Sequence, residues 1–222
     1  MKVQIYALTS VQDAIATVDA GADLIGVVAE NDGLVVEDCT AEKAREIFAA
    51  VEDRATTIAL SLGTDVERIA RMVAATRPRI LHLAARELPL DVVQRIKERI
   101  GNVKLMMAVL VDGPGALEVA RQYARLADYL ILDSGSSASP VTGATGQPHD
   151  WNISARIVAE SPVPVVLAGG LSPENVAEAV RVVRPWAVDS FTRTDRPGQR
   201  GVKDPERVRA FAQNARAAAA AL

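Results

Sequence analysis

The sequence predicts a single (β/α)8 TIM barrel spanning residues 1–222, and three observations carry that reading. Short apolar runs alternate with longer amphipathic ones from end to end, the pattern of parallel strands joined by helical crossovers. Eight such units can be marked out, the number that closes a barrel in which each strand precedes its helix. The length, 222 residues, suits one barrel and is somewhat large for two independent domains. A doubly wound open sheet is the competing architecture. It would want a Gly-rich phosphate loop after the first strand, where this chain has Thr9-Ser10-Val11-Gln12.

The strand-like runs are 3–8, 23–29, 56–61, 79–84, 103–109, 128–133, 164–169 and 186–190. The helical segments lie near 11–20, 41–51, 65–75, 90–100, 116–126, 151–160, 173–183 and 205–220. Hydrophobic residues make up 49% of the chain but aromatics only 4%, so the core is expected to be built from Ala, Val, Leu and Ile, which suit buried parallel strands. Thr40 can cap the second helix, although Lys43 occupies the place where a full capping box has an acid or amide. Ser172-Pro173-Glu174-Asn175 predicts a helix start with Ser172 as N-cap, Pro173 at the first helical position and an acid in the first turn. The Ala-rich end, 215–222, reads as a fraying last helix. The one long irregular stretch, 134–149, is rich in Gly, Ser, Thr and Pro. It leaves the C-terminal end of the sixth strand, on the face where barrels place their sites.

Composition narrows the function classes. The net charge is -3 and there is no basic tract, which argues against nucleic acid as a partner. The apolar runs fall short of a membrane span, and the chain enters a strand directly at Met1-Lys2-Val3 with no signal peptide. Cys39 stands alone, so no internal disulfide can form and a cytoplasmic setting is expected. It reads as a small buried residue before a helix. Two His and one Cys leave too few ligands for a His/Cys zinc site, and neither a metal nor another cofactor is expected. The oligomeric state is open between monomer and homodimer.

The second half carries the motif Val165-Val166-Leu167-Ala168-Gly169-Gly170-Leu171-Ser172-Pro173-Glu174-Asn175-Val176. Val183-Arg184-Pro185-Trp186-Ala187-Val188-Asp189 and Gly201-Val202-Lys203-Asp204 follow it. Upstream stand Gly143-Ala144-Thr145-Gly146-Gln147-Pro148-His149-Asp150-Trp151 and Gly21-Ala22-Asp23-Leu24-Ile25-Gly26. In order and spacing these segments resemble the phosphoribosylanthranilate isomerase family over nearly the whole chain. The resemblance implies a TIM barrel that converts an aminoaldose phosphate to an aminoketose, an Amadori rearrangement. That chemistry needs an acid to open the ribose ring and a base to take the proton from C2.

In the family the acid is an Asp at the end of the sixth strand, and Asp133 occupies the matching place. A carboxyl leaving an apolar strand end is partly desolvated and can hold a proton; the plainer alternative is that Asp133 orders the following loop. The family base is a first-strand Cys, in Ile-Cys-Gly-Leu-Thr. Here the stretch is Ile5-Tyr6-Ala7-Leu8-Thr9, and a phenol is a poor base near neutrality. Two readings of Tyr6 stay open, a hydrogen-bond donor to substrate and a bulky plug of the pocket mouth. His82, in His82-Leu83-Ala84-Ala85 where the family has Gln-Leu-His-Gly, is a second candidate base or a structural histidine. The family's Arg for the anthranilate carboxylate, in Ser-Pro-Arg-Tyr-Val, is matched by Gly33-Leu34-Val35-Val36-Glu37-Asp38, which contains no cation.

Phosphate is expected against the last two loops. Gly169 and Gly170 let the backbone approach, Ser172 opens a helix with free N–H groups, and Asp189, Thr192 and Arg193 come from the eighth strand and its loop. Arg196, Arg200 and Lys203 add positive charge there. With the Cys, the Arg and the motif His all replaced, the expected function is isomerisation of a phosphorylated sugar other than the family substrate. The alternatives are the family reaction itself, in tryptophan biosynthesis, with a substituted base, and a non-catalytic barrel that binds an anion or a protein.

Overall fold

Period-two apolar runs become strands and period-3.6 runs become helices in the computed structural model, which describes residues 1–30, 39–86, 88–134 and 150–222. The first half runs β1 (Lys2–Ile5), α1 (Val11–Asp19), β2 (Leu24–Glu30), α2 (Ala41–Val51), β3 (Thr56–Ser61), α3 (Val66–Thr76), β4 (Ile80–Leu83) and α4 (Leu90–Ile100). The second half runs β5 (Lys104–Leu110), α5 (Ala116–Tyr123), β6 (Tyr129–Asp133), α6 (Trp151–Glu160), β7 (Val165–Leu167), α7 (Val176–Val183), β8 (Ala187–Ser190) and, after a short hairpin, α8 (Pro205–Ala220). β1 to β8 form one closed parallel barrel, sealed where β8 pairs with β1 and Asp189 lies opposite Gln4.

Strand side chains alternate between two cores. Val3, Ile5, Ile25, Leu81 and Leu132 point outward and pack with helix residues such as Phe48, Ile69 and Phe211. Leu24, Ile58, Ile80, Met106, Ile131 and Val166 fill the barrel itself. Among aromatics only Tyr6 is buried in that inner core, in keeping with the aliphatic core the composition predicts. Polar groups on the N-terminal face serve the fold. Asp23 accepts from the Val3 amide at 2.9 Å and pairs with Lys2, and Asp128 accepts from the Leu105 amide at 2.9 Å and pairs with Lys104.

Helix starts follow the sequence in part. Thr40 caps α2 by accepting from the Lys43 amide at 3.2 Å. The expected start at Ser172 is a correction: α7 begins at Val176, with Asn175 as its N-cap. Ser172 instead builds the turn before it, its hydroxyl accepting from the Glu174 amide at 3.2 Å while its own amide donates to the Asn175 side chain at 2.8 Å. A two-residue strand, β9 (Asp195–Arg196), and β10 (Gln199–Lys203) form a hairpin where the sequence suggested only a loop. The expectations placed on 31–38 and 135–149, including Gly143-Ala144-Thr145-Gly146, lie outside the described residues.

Candidate active site

The inward positions of the strands are apolar except near their C-terminal ends, and there the polar side chains converge. Tyr6 follows β1, His82 lies in β4, Asp133 ends β6 and Asp189 lies in β8, and all four line one pocket. Gly169 and Gly170 after β7, with Thr192 and Arg193 after β8, form its opposite rim. Val28, Leu60, Leu62, Ile131 and Phe191 supply an apolar wall. The sequence candidates are therefore brought together, with four exceptions. Ser172 is buried, and Leu171 takes the lining position beside it, while Arg196, Arg200 and Lys203 are not among the lining residues.

Tyr6 and His82 face each other across the barrel. Tyr6 Oη and His82 Nδ1 form a buried hydrogen bond of 3.0 Å. The Tyr6 ring lies over Gly26, where a Cβ would sit 2.1 Å from Tyr6 Cε1, so the missing side chain makes room for the ring. Burial, and then the nearby charge of Asp189, push the Tyr6 phenol well above its ordinary range. Burial pushes His82 down to about 3. Both groups are neutral around pH 7, and neither is poised to accept a proton there. His82 Nε2 is buried with no hydrogen-bond partner among the described residues.

The carboxyls differ from this pair. Asp189 is pushed up to about 8, first by burial and then by the charge of Asp133, against smaller opposing effects from Gln4 and Lys203. Gln4 Nε2 donates to Asp189 Oδ1 at 3.1 Å. Asp133 is half-buried and accepts from the Ser134 amide at 2.7 Å, so it also helps order the chain beyond the strand.

The loops after β7 and β8 are cross-tied. Gly169 and Gly170 have φ of 86° and 67°, left-handed values that favour glycine. Asn175 Nδ2 donates to the Gly170 carbonyl at 3.1 Å, and Ser190 Oγ donates to the Leu171 carbonyl at 2.9 Å. Arg193 is exposed at the rim, and its carbonyl accepts from Arg207 Nε at 3.0 Å. Lys203 corrects the sequence expectation of a loop charge. It is 1% exposed, pairs with Asp195, and donates to the Phe191 carbonyl at 2.9 Å. It holds the segment after β8 from below. Gln4 was missed as a site residue, although its place two residues before Tyr6 puts it on the inward face. Cys39 is buried, as expected, and is not among the lining residues.

Fold and site together define a (β/α)8 barrel with two carboxyls and a Gly-Gly turn at its C-terminal mouth. The comparisons with known proteins narrow this class. Residues 3–214 match the family model described as N-(5'-phosphoribosyl)anthranilate (PRA) isomerase. The N-(5'-phosphoribosyl)anthranilate isomerase of Methanocella arvoryzae is 34% identical over 216 residues, covering 97% of this chain and 98% of that protein. The crystal structure of phosphoribosyl anthranilate isomerase from Thermotoga maritima superposes with a TM-score of 0.82 at 27% identity, covering 98% of this chain and 99% of that one. A structure of the enzyme with reduced 1-(o-carboxyphenylamino)-1-deoxyribulose 5-phosphate gives a TM-score of 0.80 at 26% identity, again covering 98% and 99%. The chain belongs to the N-(5'-phosphoribosyl)anthranilate isomerase family.

Proposed function

We propose that this protein catalyses the family reaction, isomerisation of N-(5'-phosphoribosyl)anthranilate to the corresponding 1-amino-1-deoxyketose phosphate, with a substituted base. The observation that carries this is the meeting, in one pocket, of Asp133 with the Gly169–Gly170 turn and Arg193. The acid at the end of β6 stands beside the loops after β7 and β8 that form an anion-type rim. Asp133 protonates the ring oxygen, and the two loops grip the phosphate through backbone N–H groups and the Arg193 guanidinium. The names of the relatives, at this coverage, support the reading. They weigh toward the family substrate, which the sequence alone placed second.

One observation favours a second reading, a phosphorylated aminoaldose with another amine substituent. The wall facing Arg193 is apolar, and Arg193 is the one Lys or Arg lining the pocket among the described residues. An anthranilate carboxylate there has no evident cation. The deciding experiment is fluorescence-monitored turnover of N-(5'-phosphoribosyl)anthranilate by the purified chain, with complementation of a tryptophan auxotroph lacking the isomerase. Conversion and growth are expected. Failure of both, with ribose 5-phosphate derivatives of other amines converted, selects the second reading.

A further inference from the structure

Behind the apolar wall of the pocket lies a buried carboxylate that no step of the proposed reaction uses. Glu30 ends β2, and its side chain is 4% exposed. We propose that Glu30 is a positioning residue for the substrate's amine substituent, acting through Leu60 and Leu62, whose places in the pocket wall it sets. The inference rests on the isomerase reading above and deepens it.

A bulge puts Glu30 where it is. β2 pairs with β3 in step up to Val28 opposite Leu60, and the next pair is Glu30 opposite Ser61, so that Ala29 is an extra residue. Strict alternation would give Glu30 the inward face that Val28 occupies. The bulge turns it instead to the face of Ser61, and Glu30 is not among the lining residues. There the carboxylate collects its partners. Ser61 Oγ donates to Oε2, and Arg68, in the first turn of α3, pairs through Nε with Oε1 at 2.8 Å. Gly63 leaves the space for this, since a Cβ there would sit 2.6 Å from Oε1.

These ties close on Leu62. Its amide donates to the Glu30 carbonyl at 2.9 Å. Ser61, before it, is bonded to the Glu30 carboxylate, and the amide of Gly63, after it, donates to Ser61 Oγ at 3.1 Å. Leu60 and Leu62 both line the pocket. A buried ion pair is a costly way to hold two strand ends, but its directional bonds admit one arrangement where apolar contact alone admits several. In the eight-stranded ring β3 lies opposite β7. A phosphate on C5 of the sugar, held at the loops after β7 and β8, sends C1 and its amine substituent across the pocket to the β3 wall. Apolar contact meets the substituent there, and its strength depends on where Leu60 and Leu62 stand.

The purified full chain tests this with Glu30→Gln, which keeps the shape and a partner for Ser61 but removes the charge that holds Arg68. With N-(5'-phosphoribosyl)anthranilate, KM is expected to rise about tenfold with kcat within about threefold, the pattern of lost binding rather than lost chemistry. Affinity for ribose 5-phosphate, which lacks the substituent, should change by less than about twofold. Gly63→Ala keeps every partner but displaces the carboxylate, so it should raise KM in the same direction, and it carries the test if Glu30→Gln does not fold. In 13C-methyl-leucine spectra without substrate, the Leu60 and Leu62 signals should move in either variant while Leu171, on the opposite rim, stays in place. A folded variant with wild-type KM, or one in which ribose 5-phosphate affinity falls as much as KM rises, overturns the inference and leaves the isomerase reading intact. A wild type inert toward this substrate overturns that reading instead. The leucine signals then decide the positioning role: movement supports it, and unmoved signals overturn it.

Discussion

The two sides of the pocket are made differently. On the β6–β8 side, Asp133, Gly169, Gly170 and Arg193 present charges, open backbone and a half-exposed carboxyl. On the β1–β4 side, Tyr6 and His82 are each 5% exposed, spend a hydrogen bond on each other, and stand among Val28, Leu60 and Leu62. In the proposed reaction the first side meets the anion and moves protons. The second is organised to exclude water and fix shape. The contrast extends to titration. His82 has a folded-state value below its unfolded one, so its contribution to stability is present above about 6.5 and is lost as pH falls toward about 3. Asp189 has a folded-state value above its unfolded one, so its contribution is present below about 3.8 and is lost as pH rises through about 8.

Four measurements break or sharpen this contrast. The largest effect is expected at Lys203, the buried support of the segment after β8. Lys203→Ala leaves Asp195 unpaired in the interior and should cost about 3–5 kcal/mol in denaturant unfolding. A loss below about 1 kcal/mol would mean that the pair is not a support. Next is Gly26→Ala on the other side. The added methyl meets the Tyr6 ring, and overpacking should cost about 1–3 kcal/mol. The cost should largely disappear in a Tyr6→Ala background, and equal costs in both backgrounds would separate the two residues. Third, the pH slopes should part. His82→Gln should remove a rise in unfolding free energy of up to about 1.4 kcal/mol per pH unit between about 3 and 6.5. Asp189→Asn should remove a fall between about 3.8 and 8. Slopes unchanged in both variants would deny the opposed titrations. The smallest effect is at exposed Arg193, where Arg193→Ala should weaken ribose 5-phosphate binding about tenfold by calorimetry, a charge-assisted bond's worth. No change would leave the phosphate to the backbone alone.

Most of the architecture could be read from periodicity, because a strand buried on both faces and a helix buried on one leave different spacings of apolar residues. The candidate residues came from the family resemblance, and parity agrees with it: Tyr6, His82, Asp133 and Asp189 are polar groups at inward positions of apolar strands. Their pairing could not be read from either. Tyr6 and His82 are 76 residues apart, and Gln4 and Asp189 are 185 apart, so both contacts exist only once the barrel closes. Lys203 was misread for a related reason. In sequence it is one more loop cation, and only the β9–β10 hairpin turns it inward to Asp195 and the Phe191 carbonyl. At Ser172 the local pattern fitted two structures. The Asn175 side chain bonds the Ser172 amide and the Gly170 carbonyl, and that turn displaces the helix start to Val176.

The glycine beneath Tyr6 also bears on redesign. The space that Gly26 leaves is taken up by the Tyr6 ring, so positions 6 and 26 are coupled in size. Tyr6→Cys introduces a thiol but opens a void over Gly26 and strips His82 of its bond, so the thiol enters a loosened wall. Installing a thiol at position 6 therefore calls for changing positions 6 and 82 together, and a library that varies the first strand alone would score the cysteine as merely harmful.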